Sequence, residues 1–305
     1  HQRKILAEVL EVNGERVFER TQDLKIENLK IIKDYLSDIT EQNADSVNEI
    51  AKNSLNQEEL FLTNGFKLIF SPKFTKLIVD WFTNKFMVIY RADSMQLIKR
   101  FADPKKKAIY VEKTTDEAAK LFGINSNAVG YVVSDDEPDA KLYSVFKNMK
   151  NKKTTAVAAD IFESYGTIRF INMFPLVIKA MQTGGTLVVD EFDASIHPMA
   201  LMSIINVFHN DDVNIHHAQL IFNTHNPIFL NSNLFRRDEI KFVERDDDTH
   251  DSVLYALSDF GTTGDKGVRK HEDYMSKYFI SQYGAIKDID FTTIFEEILC
   301  DEKEG

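Results

Sequence analysis

Cysteine is almost absent from this 305-residue sequence: Cys300 stands alone, so neither a disulfide framework nor a Cys-rich zinc site can be built. A chain so poor in cysteine suits a reducing compartment, and the expected location is cytoplasmic. No apolar run comes near the roughly 20 residues that span a bilayer. The first ten residues, HQRKILAEVL, lack the apolar segment of a secretory signal, so no membrane contact is expected. A basic excess is missing too: 37 Lys and Arg against 48 Asp and Glu leave a net charge of −11. That balance argues against a broad nucleic-acid-binding face while leaving room for a local patch. Internal repeats and low-complexity tracts are also lacking. What is there, 43% hydrophobic and 28% charged residues, suits a globular chain of one large or two modest domains. The chain opens on His1 rather than Met, from which a preceding segment is expected.

Residues 5–20 alternate polar and apolar around Asn13-Gly14, a pair that supplies two positive φ angles, and predict a β-hairpin. From Asn28 the period changes. Leu29, Ile32 and Leu36 mark an amphipathic helix, and a weaker helix is expected within 40–59. Phe74, Leu77, Ile78, Trp81 and Phe82 recur at helical spacing, and core packing is the expected use of that face. Residues 86–90 read as a strand. Two basic clusters, Lys105 to Lys107 and Lys147, Lys150, Lys152, Lys153, read as solvated surface, with a nucleic-acid or partner contact as the sharper alternative. The acids around Pro138 read as a loop.

The pattern sharpens after Thr154. A helix runs through Ile168, Ile171, Phe174 and Met181, tolerates Pro175, and stops at Gly184-Gly185. The short apolar strand TLVV follows and ends in two adjacent acids, Asp190 and Glu191. Pro198 begins a helix carrying Leu201, Ile204, Ile205 and Phe208, and 219–223 is a further strand. Strand, helix, strand at this spacing predicts a parallel βαβ unit. A hairpin over 240–257 and helices over 270–282 and 291–299 complete the expectation.

Ligands of open parallel sheets bind beyond the carboxyl ends of the strands. Two successive strands here end in polar groups at that edge, Asp190-Glu191 on one and His225 on the other. A carboxylate at a strand tip can hold Mg²⁺ through water, and the next can polarise an attacking water. An imidazole on the neighbouring strand can hydrogen-bond a phosphate oxygen or that water. Ser164, ahead of a helix with free N–H groups, is either part of an anion site or a plain N-cap.

Taken in order, these motifs resemble ABC-type ATPases, in the variant carried by SMC-like and RecF-like AAA-family ATPases of bacteria. Ser164-Tyr165-Gly166-Thr167, continuing Ile168-Arg169, is similar to their signature motif. LVVDEFDASIHP is similar to the Walker B strand and D-loop, and Asn223-Thr224-His225-Asn226-Pro227 to the switch histidine. Val268-Arg269-Lys270 and Tyr283-Gly284-Ala285-Ile286 resemble the group's C-terminal end. The likeness covers 160–300. It implies an α/β fold, a P-loop NTPase sheet of the ABC-type head with parallel core strands, an antiparallel hairpin lobe (1–27), a mainly helical insertion with a returning strand near 86–90 (28–153) and an ATPase core (154–305). It implies ATP and Mg²⁺ as cofactors, with Asp190 as metal ligand, Glu191 as general base and His225 as γ-phosphate sensor. Ser164, Gly166, Thr167 and Ser195 would bind nucleotide, and Ser195, with Ile196 and His197, would lie in the D-loop across a dimer interface. A homodimer or higher homo-oligomer closing on a nucleotide sandwich is implied, acting on DNA or an effector protein in phage defence or DNA maintenance.

One departure stands out. No G-x-x-x-x-G-K-[ST] occurs in the sequence; GTTGDKG at 261–267 has the residue types in another order. The chain is therefore expected to correspond to the C-terminal two-thirds of such an ATPase and to bind ATP negligibly alone. The alternatives are a metal-dependent nuclease or phosphatase using Asp190, Glu191 and Asp193, and a non-catalytic interaction module.

Overall fold

The computed structural model describes residues 4–36, 49, 53, 55, 57–62, 70–90, 108–111, 113–124, 126–133, 141–147, 153–263, 267–287 and 289–301. The expected loop around Pro138, Lys105 to Lys107, Lys150, Lys152 and most of the helix expected within 40–59 lie outside these residues. The chain divides into two compact units. One comprises 1–89, 176–188 and 215–221, the other 90–175, 189–214 and 222–305.

In the first unit, β1 (Glu8–Val12) and β2 (Glu15–Arg20) pair antiparallel with Val12 opposite Glu15. Asn13 and Gly14 take the positive φ values of 54° and 80° that the turn demands, and β3 (Leu24–Ile26) adds a third strand beside β2. Val17, Phe18, Leu24, Ile32, Phe61 and Phe70 form the core beneath this sheet. A buried carboxylate closes it: Glu8 accepts from the backbone N–H groups of Phe61 and Leu62, both at 2.7 Å, and faces Arg20 at 3.6 Å. The helix expected from Asn28 is instead a seven-residue 3₁₀ stretch, Leu29–Tyr35, broken at Ile32. A run that short, kinked at Ile32, places Ile32 inward without a regular α-helix.

Helix α1 (Pro72–Asp80) is capped by Ser71 and followed by a π-helical turn, Trp81–Lys85, and by β4 (Phe86–Ile89). Its apolar residues part company. Phe74 and Ile78 pack on the core, while Leu77, Trp81 and Phe82 remain exposed, contrary to the expected core face. Strands β9 (Thr186–Val189) and β10 (Gln219–Phe222) join β4 in the order β10-β9-β4. The Gln219 N–H donates to the Gly185 carbonyl, and four residues on the Asn223 N–H donates to the Val189 carbonyl. The register advances the same way on both strands, so β9 and β10 are parallel, as the βαβ spacing predicts.

The second unit contains a four-stranded antiparallel meander, β5 (Ala108–Tyr110), β6 (Ala128–Val132), β7 (Lys141–Lys147) and β8 (Thr154–Ala158), with α2 (Lys113–Phe122) between the first two strands. Among the described residues of 28–153, the strand expected near 86–90 is β4, and three further strands, β5 to β7, stand beside helices α1 and α2. AVGYV and KLYSVFK are β-branched and aromatic runs that bury Val129, Tyr131 and Val145, too short for their period to show in the sequence.

After α3 (Ala159–Phe162) comes α4 (Tyr165–Thr183), with Pro175 inside it. The meander grips the first half of α4. The Tyr131 hydroxyl donates to Asn172 Oδ1 at 3.1 Å, and Ile171 joins Val111, Ala119 and Val129 in one core. The Ser144 hydroxyl donates to Glu163 at 2.8 Å, both groups buried, just ahead of the helix. Helix α5 (Pro198–His209) starts at Pro198, as expected, and buries Leu201, Ile204 and Ile205. The antiparallel pair β11 (Lys241–Arg245) and β12 (Ser252–Ala256) packs with Tyr274 and Tyr283. Helix α6 (Tyr274–Phe279) is shorter than the expected 270–282, and α7 (Thr292–Asp301) matches expectation.

Candidate active site at the tips of the parallel strands

Strand β9 is buried at Leu187 and Val189, and the chain leaves the sheet at Asp190. The next six residues form a turn pinned from below. Phe192 is fully buried, its ring 4.7 Å from that of Phe222, and its N–H donates to the Asn223 carbonyl at 3.2 Å. Ile196 is the second buried anchor. Each anchor is preceded by an exposed residue with positive φ, Glu191 at 49° and Ser195 at 64°. Left-handed backbone at a non-glycine residue costs roughly 1–2 kcal/mol, so the turn holds both outward at the expense of strain.

Asn223, the first residue past β10, ties the two acids together. Its Nδ2 donates to Asp190 Oδ1 at 2.6 Å, and its Oδ1 accepts from the Glu191 N–H at 2.6 Å. One amide therefore orients a carboxylate side chain and the backbone of its neighbour. The other Asp190 oxygen makes no hydrogen bond among the described residues, so the carboxylate keeps a free acceptor. That donor set fits Mg²⁺, which takes one or two protein carboxylates and fills its remaining positions with water or phosphate. Among the described residues no three His, Cys, Asp or Glu side chains converge, so the carboxylate cluster that two-metal cleavage uses is not assembled there.

The signature-like segment meets the same turn. Arg169, buried on α4, donates through one guanidinium nitrogen to the Ala194 carbonyl at 2.6 Å and through the other to the Glu191 carbonyl. Gly166 is buried against Ser195: a Cβ there would collide with the Ser195 carbonyl. The glycine thus has a packing reason within its own chain. Ser164 acts as the N-cap of α4, its Oγ accepting from the Thr167 N–H at 3.1 Å and lying 2.7 Å from the Thr167 hydroxyl. His197 is likewise an N-cap, its Nδ1 accepting from the Met199 N–H at 3.2 Å.

His225 is exposed in the turn after β10, which Thr224 and Asn226 fix by hydrogen bonds to the N–H groups of Asn226 and Ile228. Its imidazole makes no hydrogen bond among the described residues. Asp190, Glu191, Gly166 and Ser195 are thus brought together around one turn, Ser164 and Thr167 sit at the helix start behind it, and His225 follows two residues after Asn223. Sequence reasoning missed Asn223 and Arg169 as organisers. Both lie inside the motifs, but nothing in a sequence says which backbone groups a side chain will reach.

A scan of family models matches residues 20–231 to the family described as AAA domain, putative AbiEii toxin, Type IV TA system. No curated protein matches the chain. Among the described residues no helix is long and apolar enough to cross a membrane. With well over half of its length matched, the chain belongs to this AAA-domain family and carries an ATPase-like domain.

Proposed function

We propose that this chain supplies the hydrolytic edge of an Mg²⁺-dependent ATPase of the SMC-like and RecF-like kind. The observation that carries this reading is the Asn223 bridge, which joins the Asp190 carboxylate to the Glu191 backbone at the ends of two parallel strands. Asp190 would hold Mg²⁺ through water, with which the ion supplies charge neutralisation for the phosphate oxygens. Glu191, held outward by its left-handed backbone, acts as general base on the attacking water. His225, whose ring is free to turn toward a ligand, hydrogen-bonds the γ-phosphate.

Ser164, Gly166, Thr167 and Ser195 contribute to a nucleotide sandwiched between two copies, so that ATP closes a homodimer or higher homo-oligomer and hydrolysis opens it. Closure acts on DNA or a companion effector, in phage defence or DNA maintenance within the cytoplasm. The family description, a putative toxin of a type IV TA system, supports a setting with a companion protein. The 305 residues hold no G-x-x-x-x-G-K-[ST], so the main grip on the triphosphate is supplied from outside this sequence.

Two measurements test the reading. The chain alone should bind ATP more weakly than micromolar, and calorimetry that finds micromolar affinity overturns the missing grip. In a preparation that turns over ATP, Glu191→Gln should abolish hydrolysis while ATP stays bound; unchanged turnover removes Glu191 from the role of base.

A further inference from the structure

The exposed face of α1 and the π-helical turn after it combine aromatic rings with lysines. Leu77 is 55% exposed, Trp81 36% and Phe82 44%. Trp81 stacks on Phe86 with centroids 5.1 Å apart and planes at 25°, and meets Phe82 edge-to-face at 4.9 Å. The indole is therefore held rigid from one side while a third of the residue stays open. Lys73, Leu77 and Trp81 follow one another at four-residue steps, and Lys76 lies one helical turn from Lys73. Lys73, Lys76 and Lys85 make no ion pair or hydrogen bond among the described residues. The one acid of the stretch, Asp80, accepts from Asn84 at 2.6 Å.

Charge decides what such a surface suits. Among the described residues of 72–90, Lys73, Lys76 and Lys85 stand against Asp80 alone, in a chain whose net charge is −11. A purely apolar partner would leave the lysines unused. A polyanion with flat apolar groups uses both. We infer that the Lys73–Lys76–Trp81–Phe82 surface binds single-stranded nucleic acid, with the lysines on phosphates and bases stacked on the exposed rings. Aromatic platforms flanked by cations bind single strands in this way with little sequence preference, because every base presents a π-face. Duplex DNA keeps its bases stacked inside and offers only its phosphates. The inference does not depend on the ATPase reading, since no nucleotide triphosphate takes part.

Trp81 is the sole tryptophan of the chain, so its emission reports on this surface alone. Titrating the protein with an oligothymidylate of about fifteen nucleotides, at about 50 mM salt, should quench that emission saturably. Three phosphate contacts predict a slope of log affinity against log salt near about −2. Lys73→Glu with Lys76→Glu, both on exposed positions, should flatten the slope and weaken binding at least about tenfold. Trp81→Ala, followed by anisotropy of a labelled oligonucleotide, should weaken binding by about tenfold. Three results overturn the inference: emission unchanged by the oligonucleotide; affinity indifferent to both variants; or equal quenching by heparin, which has charge but no bases. Emission that shifts only with rising protein concentration assigns the surface to self-association instead, and also overturns it.

Discussion

Asn223 and Asp190 are joined by a 2.6 Å hydrogen bond from an amide at the end of one parallel strand to a carboxylate at the end of the next. The same amide receives the Glu191 N–H, so the two strand tips share one clamp. Groups that orient a metal-binding carboxylate typically contribute 10–100-fold to affinity or activity. Asn223→Ala should therefore lower turnover by about 10–100-fold while barely moving the melting temperature, because Asn223 is exposed. Asn223→Asp should be worse than Ala, because it sets a second carboxylate against Asp190 in place of a donor. Measuring the Mg²⁺ concentration for half-maximal activity separates the two. If Ala and Asp behave alike, orientation of Asp190 is not what Asn223 provides.

Glu191 holds φ at 49°, a conformation glycine adopts freely. Glu191→Gly should raise stability by roughly 1 kcal/mol, about 2 °C in Tm, while eliminating hydrolysis. Opposite signs for stability and activity mark strain kept for function. Thermal denaturation beside an ATPase assay checks this. A variant that loses both stability and activity contradicts it.

At Gly166 the limit is space. Any Cβ meets the Ser195 carbonyl, which is backbone and cannot swing aside. Gly166→Ala should cost about 1–3 kcal/mol and loosen the 190–196 turn, seen as faster amide exchange there. An unchanged exchange rate would show that the turn does not rest on the helix start.

Burial pushes the Tyr131 hydroxyl from 10.0 up to about 12. Below pH 10 folded and unfolded chains both keep the proton. Above it the unfolded chain releases its proton first, so stability falls as pH rises from about 10 to about 12. Tyr131→Phe should make that decline shallower, while at neutral pH it costs about 1 kcal/mol through the lost bond to Asn172. Urea denaturation at a series of pH values measures both effects. An equally steep decline in the variant would assign the alkaline loss to other groups.

Local chemistry was legible in the sequence wherever a short pattern has few structural solutions. Asn13-Gly14 between alternating runs dictates a two-residue hairpin, and TLVV followed by acids, a turn and Pro198 dictates a strand feeding a helix. The parallel pair β9–β10 follows from strand, helix, strand spacing, because that connection joins neighbours of like direction. Short strands such as AVGYV were not legible: five residues give too few repeats to separate a period of two from one of 3.6. Nor was the exposure of Trp81. Helical spacing groups residues on a face without saying whether anything covers it, and only Phe74 and Ile78 meet the core.

The same division runs through the site. The sequence by itself determined that Asp190 and Glu191 end a buried strand and that a polar Asn-Thr-His run ends the next. Adjacent acids at the exit of a buried strand call for a cation or a water to work on, because an unpaired buried charge is costly. Only the tertiary structure decided how they are held, because Asn223, Arg169 and Gly166 act on groups 22 to 33 residues away or across a space the size of one methyl. Contacts of that kind depend on where separate elements come to rest, which no local period encodes.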